Sequence, residues 1–169
     1  MADDAHMMNQ ALAQAESALD RGEFPVGCVI VHRERILVTG SRHGTSVQSD
    51  GMNETDHAEM IALRALDRGL TMPPREEMIL YSTMEPCLMC FAAILLSRIG
   101  RIVYAFEDVM GGGTGVELGG LSPLYRDAHV SVTGGVLRGE SLRLFKAFFS
   151  DPRNGYWRGS LLERYTLSQ

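Results

Sequence analysis

Two short motifs, thirty positions apart, constrain the fold of this 169-residue chain more than any other feature. The first is H-A-E at residues 57–59 and the second is P-C-L-M-C at residues 86–90. One imidazole and two thiolates can hold a zinc ion and leave its fourth position open, whereas structural zinc sites usually have four protein ligands. The fold must therefore bring His57, Cys87 and Cys90 together, and the sequence predicts that these three residues bind zinc.

Glu59 stands two residues after the histidine, where a carboxylate can move protons next to the metal. Zinc lowers the pKa of a water ligand to about 7, which makes hydroxide available as a nucleophile. A nearby acid–base group that moves the protons typically contributes about 10²- to 10⁴-fold to the rate. The pattern predicts a zinc-dependent hydrolase with Glu59 as its proton shuttle.

Each motif alone has simpler interpretations. A C-x-x-C pair is often a structural zinc knuckle or a redox pair, and an isolated H-x-E means little. Together, in this order and with a proline before the first cysteine, they favour catalytic zinc. A non-catalytic zinc-stabilised binding module is a further alternative, and the intact Glu59 argues against it. A closed structural site would need a fourth ligand. The remaining histidines are not at ligand spacing, and only His43 is a candidate for the pocket; they are His6, His32, His43 and His129.

Periodicity and end signals predict one domain over residues 1–169, in which helices and strands alternate as a layered α/β sandwich. Helices are predicted over residues 1–21, 56–69 with Asp56 as N-cap, 86–97 opened by Pro86, 138–149, and around 157–165. Strands are predicted over 26–32, 36–39, 78–82, 101–106 and 129–133. Cys87, Cys90 and His57 then lie at two helix starts that converge on one zinc. Residues 111–120, with six glycines, are predicted to be a flexible loop, and residues 152–166 a helical lid.

Composition limits the partners and the compartment. The net charge is −5, so the chain has no overall basic field to gather nucleic acid. No apolar run reaches the length of a membrane span, and the first four residues do not resemble a signal peptide. Only three cysteines are present, and Cys28, within an apolar run, is predicted to be buried in a strand. This cysteine usage suits a reducing cytoplasm.

Several segments carry a resemblance to a known family. The order H-x-E followed by P-C-x-x-C is the signature of zinc nucleobase deaminases. Similarity to this family extends over residues 22–27, 57–64 and 83–90, and residues 97–99, 103–104, 135–137 and 148–149 are similar to the tRNA-acting enzymes in particular. The chain resembles the cytidine deaminase superfamily, in the branch of bacterial tRNA adenosine deaminases and guanine deaminases. The resemblance implies a three-layer α/β/α sandwich with a five-stranded mixed sheet, a homodimer, one Zn²⁺ per chain on His57, Cys87 and Cys90, and Glu59 as proton shuttle.

Further residues beside these motifs are predicted to bind the substrate. They are Phe24, Val26, Arg42, Ala58, Glu85, Pro86, Asp108 and Trp157.

Three departures from the tRNA enzymes concern the substrate. Arg42 stands where the family usually has an asparagine that binds the base or sugar, and an arginine prefers a carbonyl-rich or anionic group. Asp108 and its neighbours stand where those enzymes usually have lysine. The tail is not basic and carries aromatic residues, and in this it is similar to the fungal cytosine deaminases. The sequence therefore favours a free base or nucleoside as substrate, with the tRNA wobble adenosine as the alternative.

Overall fold

A mixed five-stranded sheet forms the centre of the computed structural model, which describes residues 3–46, 51–69 and 72–169. The strands lie in the order β2-β1-β3-β4-β5, and neighbouring strands are antiparallel in the first two pairs and parallel in the last two. Their bounds are β1 Gly27–His32, β2 Arg35–Ser41, β3 Ile79–Met84, β4 Arg101–Phe106 and β5 Ser131–Thr133. The predicted five-stranded mixed sheet is confirmed.

Helices cover both faces of this sheet. They are α1 Asp4–Asp20, α2 Ala58–Asp67, α3 Leu88–Leu96, α4 Pro123–Arg126, α5 Arg138–Ser150 and α6 Leu161–Ser168. Successive strand residues point to opposite faces, so Ile30 and Leu80 pack in the cluster with α2 and α3, while Val29 and Tyr81 pack in the cluster with α1. The three-layer α/β/α sandwich is therefore confirmed. None of the helices in the described ranges is long and apolar enough to cross a bilayer.

The helix starts differ from the predictions at three places. The N-cap of α2 is His57, because the Asp56 carboxylate is already bonded to Asn53 Nδ2 at 2.7 Å and to Arg64 at 2.5 Å. Helix α3 begins at Leu88 with Cys87 as N-cap, so Pro86 precedes the helix.

The last helix begins only at Leu161, where the Ser160 side chain caps it by accepting from the Glu163 N–H. The predicted lid 152–166 is therefore mostly a segment of turns, and Trp157 lies in these turns before α6. A short helix, α4, which the sequence did not predict, follows the glycine-rich loop, and within that loop Gly112 forms a β-bridge with Cys87.

The carboxyl ends of β3 and β4 position the site. Helix α3 follows β3 directly, and the parallel pairing of β3 with β4 brings Glu85 and Asp108, which follow these strands, to the same edge. Helix α2 reaches this edge because it packs closely on β2: a Cβ added at Gly40 would lie 2.1 Å from the carbonyl oxygen of Ala58. This is the place where α/β sheets usually bind ligands.

Candidate metal centre and active site

His57, Cys87 and Cys90 come together as predicted. His57 Nδ1 lies 3.5 Å from each sulfur, and the three ligand atoms all lie within 4.8 Å of one another. Tetrahedral zinc with Zn–S bonds of about 2.3 Å and Zn–N bonds of about 2.0–2.1 Å would place nitrogen and sulfur about 3.5 Å apart. The arrangement and chemistry of these donors fit a zinc ion with three protein ligands.

Two helix N-termini present these ligands. His57 and Cys87 are both N-caps with extended backbone, and Cys90 lies in the first turn of α3. The sequence analysis placed Cys87 inside that turn, and it lies one position before it. At this end of a helix the unpaired N–H groups and the dipole favour negative charge, which stabilises thiolates.

The pKa values of the two thiols are shifted in opposite directions by their contact with each other. A hydrogen bond from Cys90, with a second contact from His57, lowers the pKa of Cys87 to about 4. The same bond, together with burial, raises the pKa of Cys90. Zinc binding would displace the Cys90 proton, because thiolates are the ligands. When bound, zinc supplies a water made acidic enough to act as nucleophile near neutral pH.

Glu59 lies in the first turn of α2 and is buried beside the ligands. Its Oε1 accepts a hydrogen bond from Ser82 Oγ at 2.8 Å, and its Oε2 lies 3.6 Å from Cys90 Sγ. Burial raises the pKa of this carboxyl, which favours its holding a proton. Ser82 thus fixes the Glu59 carboxyl beside the metal ligands.

The sequence analysis missed Ser82. The signal that could have identified it is the alternation of side chains along β3, which places this polar residue on the same buried face as Leu80.

A cavity of about 390 Å³ opens beside the ligands. Six of the predicted substrate-binding residues line it: Phe24, Val26, Arg42, Glu85, Asp108 and Trp157. The other two, Ala58 and Pro86, are buried next to the ligands and lie outside its lining. Lining residues that the sequence analysis did not select are Glu54, Met84, Met110, Gly111, Tyr156 and Leu162.

One wall of the cavity is acidic. Glu85 Oε1 accepts from Thr114 Oγ1 at 2.5 Å, and Glu85 Oε2 accepts from the Asp108 N–H at 3.2 Å. Asp108 Oδ1 in turn accepts from the N–H groups of Met110 and Gly111 at 3.0 and 2.9 Å. Burial raises the pKa of Asp108. Glu85 therefore ties together the loop after β4, and Asp108 keeps Oδ2 outside these bonds.

Arg42 also lines the cavity and is buried. Its Nη1 donates to the carbonyl oxygens of His43 and Asp56 at 2.6 and 2.9 Å, and its Nη2 donates to that of Asn53 at 2.7 Å and to the Tyr156 hydroxyl at 3.4 Å. Four of its five N–H groups are thus bound within the chain. The carbonyl groups that Arg42 was expected to bind therefore belong to a loop of the chain itself.

The aromatic pair Tyr156–Trp157 borders the cavity from the turns before α6. The Tyr156 ring packs on Phe24 with centroids 5.3 Å apart and on Trp157 at 5.4 Å. Trp157 remains 43% exposed and has φ +56°, a left-handed conformation that is rare for a bulky side chain.

Comparison with known proteins agrees with this geometry. The family model for the cytidine and deoxycytidylate deaminase zinc-binding region matches residues 1–106. A tRNA-specific adenosine deaminase of Haemophilus influenzae is 37% identical over 150 residues, which cover 89% of this chain and 85% of that protein. A tRNA(Ile)-lysidine synthase of Deinococcus radiodurans is 40% identical over 156 residues, but the chain spans only 26% of its length.

Solved structures show the same fold. A chain from studies of A-to-I editing by tRNA:A34 deaminases has a TM-score of 0.61 and 31% identity, over 77% of this chain and 97% of that one. The guanine deaminase from Nitrosomonas europaea has a TM-score of 0.67 and 20% identity, over 88% of this chain and 85% of that one. With the model, the relatives and the site in agreement, the chain belongs to the cytidine and deoxycytidylate deaminase zinc-binding family and is a zinc-dependent hydrolytic deaminase.

Proposed function

We propose that this deaminase acts on a free amino-substituted heterocycle of the nucleobase type. The observation that carries the proposal is the cavity itself, which adjoins the metal ligands and is bordered by Tyr156 and Trp157. A volume of about 390 Å³ lies near the lower end of the roughly 300–1,000 Å³ of small-molecule sites. Apolar side chains from Phe24, Val26 and Met84 offer surfaces for a flat ring.

In the proposed reaction, water and an aminoheterocycle give the oxo-heterocycle and ammonia. Glu59 takes one proton from the attacking water and passes it to a ring nitrogen. It then takes the second proton from the hydroxyl now on the ring carbon and gives it to the amine, which leaves as ammonia while the carbonyl forms. Ser82 keeps the carboxylate oriented during these transfers. Asp108 Oδ2 accepts a hydrogen bond from an N–H of the ring. Trp157 covers the ring at the mouth of the cavity. The predicted roles of Ala58 and Pro86 would be exerted by their backbones, since both side chains lie outside the cavity lining.

The charge of the cavity supports a substrate without phosphate. Four acidic side chains line it, from Glu54, Glu59, Glu85 and Asp108. The guanidinium of Arg42, the one Lys or Arg side chain in the described lining, is bound to the chain's own carbonyl groups. Phosphate contacts supply much of the affinity for nucleic acid, and this cavity offers no free cation for them among its described residues.

The second candidate is deamination of the tRNA wobble adenosine. It is favoured by the 37% identity to the Haemophilus influenzae tRNA-specific adenosine deaminase. This function requires the mouth of the cavity to admit a nucleotide that remains attached to its chain.

Ammonia release by the purified protein separates the two candidates, with Glu59→Ala as blank. The panel contains cytosine, adenine, guanine, their nucleosides, pterins and triazines, and an anticodon stem-loop with adenosine at position 34. We expect turnover of at least one free heterocycle and no inosine in the stem-loop. Inosine in the stem-loop without turnover of any free heterocycle would establish the second candidate instead.

We also propose that the protein is a homodimer that works in a reducing cytoplasm. All three cysteines are free, as the metal ligands require. Large apolar side chains are exposed on α3 and around α4, which contacts it: Leu88, Leu96, Leu121 and Leu124. Such a surface is typical of a protein–protein contact, and a symmetric dimer would cover it on both copies.

A further inference from the structure

The hydroxyl of Tyr156 joins two distant parts of the chain. It accepts a hydrogen bond from Arg42 Nη2 at 3.4 Å and donates one to Glu54 Oε2 at 2.8 Å. The Arg42 guanidinium also lies over the Tyr156 ring, 5.7 Å from its centroid. Arg42 and Glu54 belong to the segment between β2 and α2, whereas Tyr156 precedes α6. We call this group of three residues, Arg42, Glu54 and Tyr156, the latch.

The latch is anchored to the loop that leads into the metal centre. Arg42 holds the carbonyl groups of Asn53 and Asp56, and the Asn53 amide binds the Asp56 carboxylate at 2.7 Å. Asp56 immediately precedes His57. Because Arg42 is buried and its terminal nitrogens are used in this way, its contribution is to hold the loop and Tyr156 in place.

Trp157 depends on the latch for its position. It follows Tyr156 directly and packs edge-on against its ring. Its left-handed backbone conformation is unfavourable for a bulky residue and persists only where the surroundings enforce it. Tyr156, bonded through its hydroxyl and packed on Phe24, supplies such an anchor.

We propose that the latch holds Trp157 across the mouth of the cavity and thereby restricts the enzyme to heterocycles without a sugar. In cytosine and adenine, the nitrogen that carries ribose in a nucleoside lies across the ring system from the carbon that carries the amine. When that carbon faces the metal ligands, ribose projects toward the mouth and meets Trp157. This inference rests on the proposed function and assigns Arg42, Glu54 and Tyr156 as positioning residues that determine specificity.

Tyr156→Phe tests the latch with little disturbance, because the ring and its packing remain and only the hydroxyl is lost. Tyr165→Phe is the matched control: its hydroxyl also bonds a carboxylate, that of Glu107, but lies outside the cavity lining. The measured quantity is kcat/KM for the best free base divided by kcat/KM for its ribonucleoside. We expect Tyr156→Phe to lower this ratio about tenfold, the scale of one hydrogen bond to a charged group, and Tyr165→Phe to leave it unchanged.

Glu54→Ala provides a second variant, since this side chain is about half exposed and its loss leaves the core intact. It should lower the same ratio, and its effect should not add fully to that of Tyr156→Phe, because both remove the hydrogen bond between Tyr156 and Glu54.

The fluorescence of Trp157 gives a readout independent of activity, because Trp157 is the single tryptophan of the chain. We expect acrylamide to quench it more strongly in Tyr156→Phe and Glu54→Ala than in the unchanged protein or in Tyr165→Phe. Unchanged selectivity or unchanged quenching in Tyr156→Phe would overturn the latch, even with free bases turned over normally. If the unchanged protein converts no free heterocycle, the proposed function fails, and the latch proposal with it.

Discussion

The three cysteines differ in the surroundings of their sulfur atoms, and this difference separates their roles. Cys87 and Cys90 lie at a helix N-terminus beside His57, where thiolates are stabilised. Cys28 is fully buried in β1, where burial raises the pKa of its thiol. Two cysteines are thus suited to bind metal, and the third is a packing residue, as its apolar neighbours predicted.

We expect Cys87→Ser to lose zinc, because a serine hydroxyl stays protonated at neutral pH and replaces a sulfur ligand poorly. Metal analysis of the unchanged protein should find about one zinc per chain, and of the variant almost none. Cys28→Ala is the matched control and should keep its zinc. Full zinc retention in Cys87→Ser would contradict the assigned ligand set.

The ligands and Glu59 could be predicted because their chemistry is visible in residue type and short spacing. The roles of Glu54 and Tyr156 could not, because these residues are 102 positions apart and meet only in the fold. Arg42 was selected for its position in the family pattern, but which group its guanidinium would bind depends on where the loop at 53–56 turns back. Substrate preference therefore rests on contacts that the sequence does not display.

At the scale of elements, α6 is fixed by a cluster between the end of β4 and α5. Arg138 donates to Glu107 at 2.5 and 2.8 Å, and the Tyr165 hydroxyl of α6 also donates to Glu107. The Arg138 guanidinium lowers the pKa of Glu107 to about 2. This cluster thus ties α6 to the end of β4 and to the start of α5.

Removing the Glu107 charge should destabilise the protein in a pH-dependent way. Because its pKa is lowered from 4.5, the carboxylate stabilises the fold above that pH, and this contribution is lost as the pH falls toward about 2. We expect Glu107→Gln to lower Tm by about 2–4 °C, equally at pH 6, 7 and 8, with the difference shrinking below pH 4.5.

Thermal melts across this pH range check the expectation. Glu117→Gln is the control: this exposed glutamate has no ion pair among the described residues. A difference between Glu107→Gln and the unchanged protein that grows on acidification would show that the pair with Arg138 is not the cause.

Most elements were predictable because their apolar periodicity is strong, as in α1, the β1–β2 hairpin and α5. The starts of helices were harder to predict, because they depend on which other contacts compete for the capping side chain. Asp56 is a good capping residue by type, yet its carboxylate is taken by Asn53 and Arg64. The start of α6 was placed too early, because aromatic residues that pack on the cavity gave the turns a helical appearance.

At the scale of the whole molecule, the exposed leucines of α3 and α4 predict a dimer that an added charge can disrupt. Leu124 is 67% exposed on α4, and Leu124→Glu should convert the protein to a monomer, because a buried unpaired carboxylate is costly at an interface. Leu167→Glu, on α6, is the control with a similarly exposed leucine, and it should stay dimeric. Sedimentation velocity distinguishes the species, and a monomeric unchanged protein would rule the dimer out.

The geometry of the metal centre depends on Gly40, although this residue is neither a metal ligand nor part of the cavity lining. Its φ lies outside the left-handed region, so backbone conformation does not require a glycine there. What requires it is the carbonyl of Ala58, at the start of the helix that carries His57 and Glu59. A single added methyl group would push that helix start away from the strand. Substitutions at Gly40 would therefore lower the affinity for zinc. A survey of variants confined to the active site would overlook them.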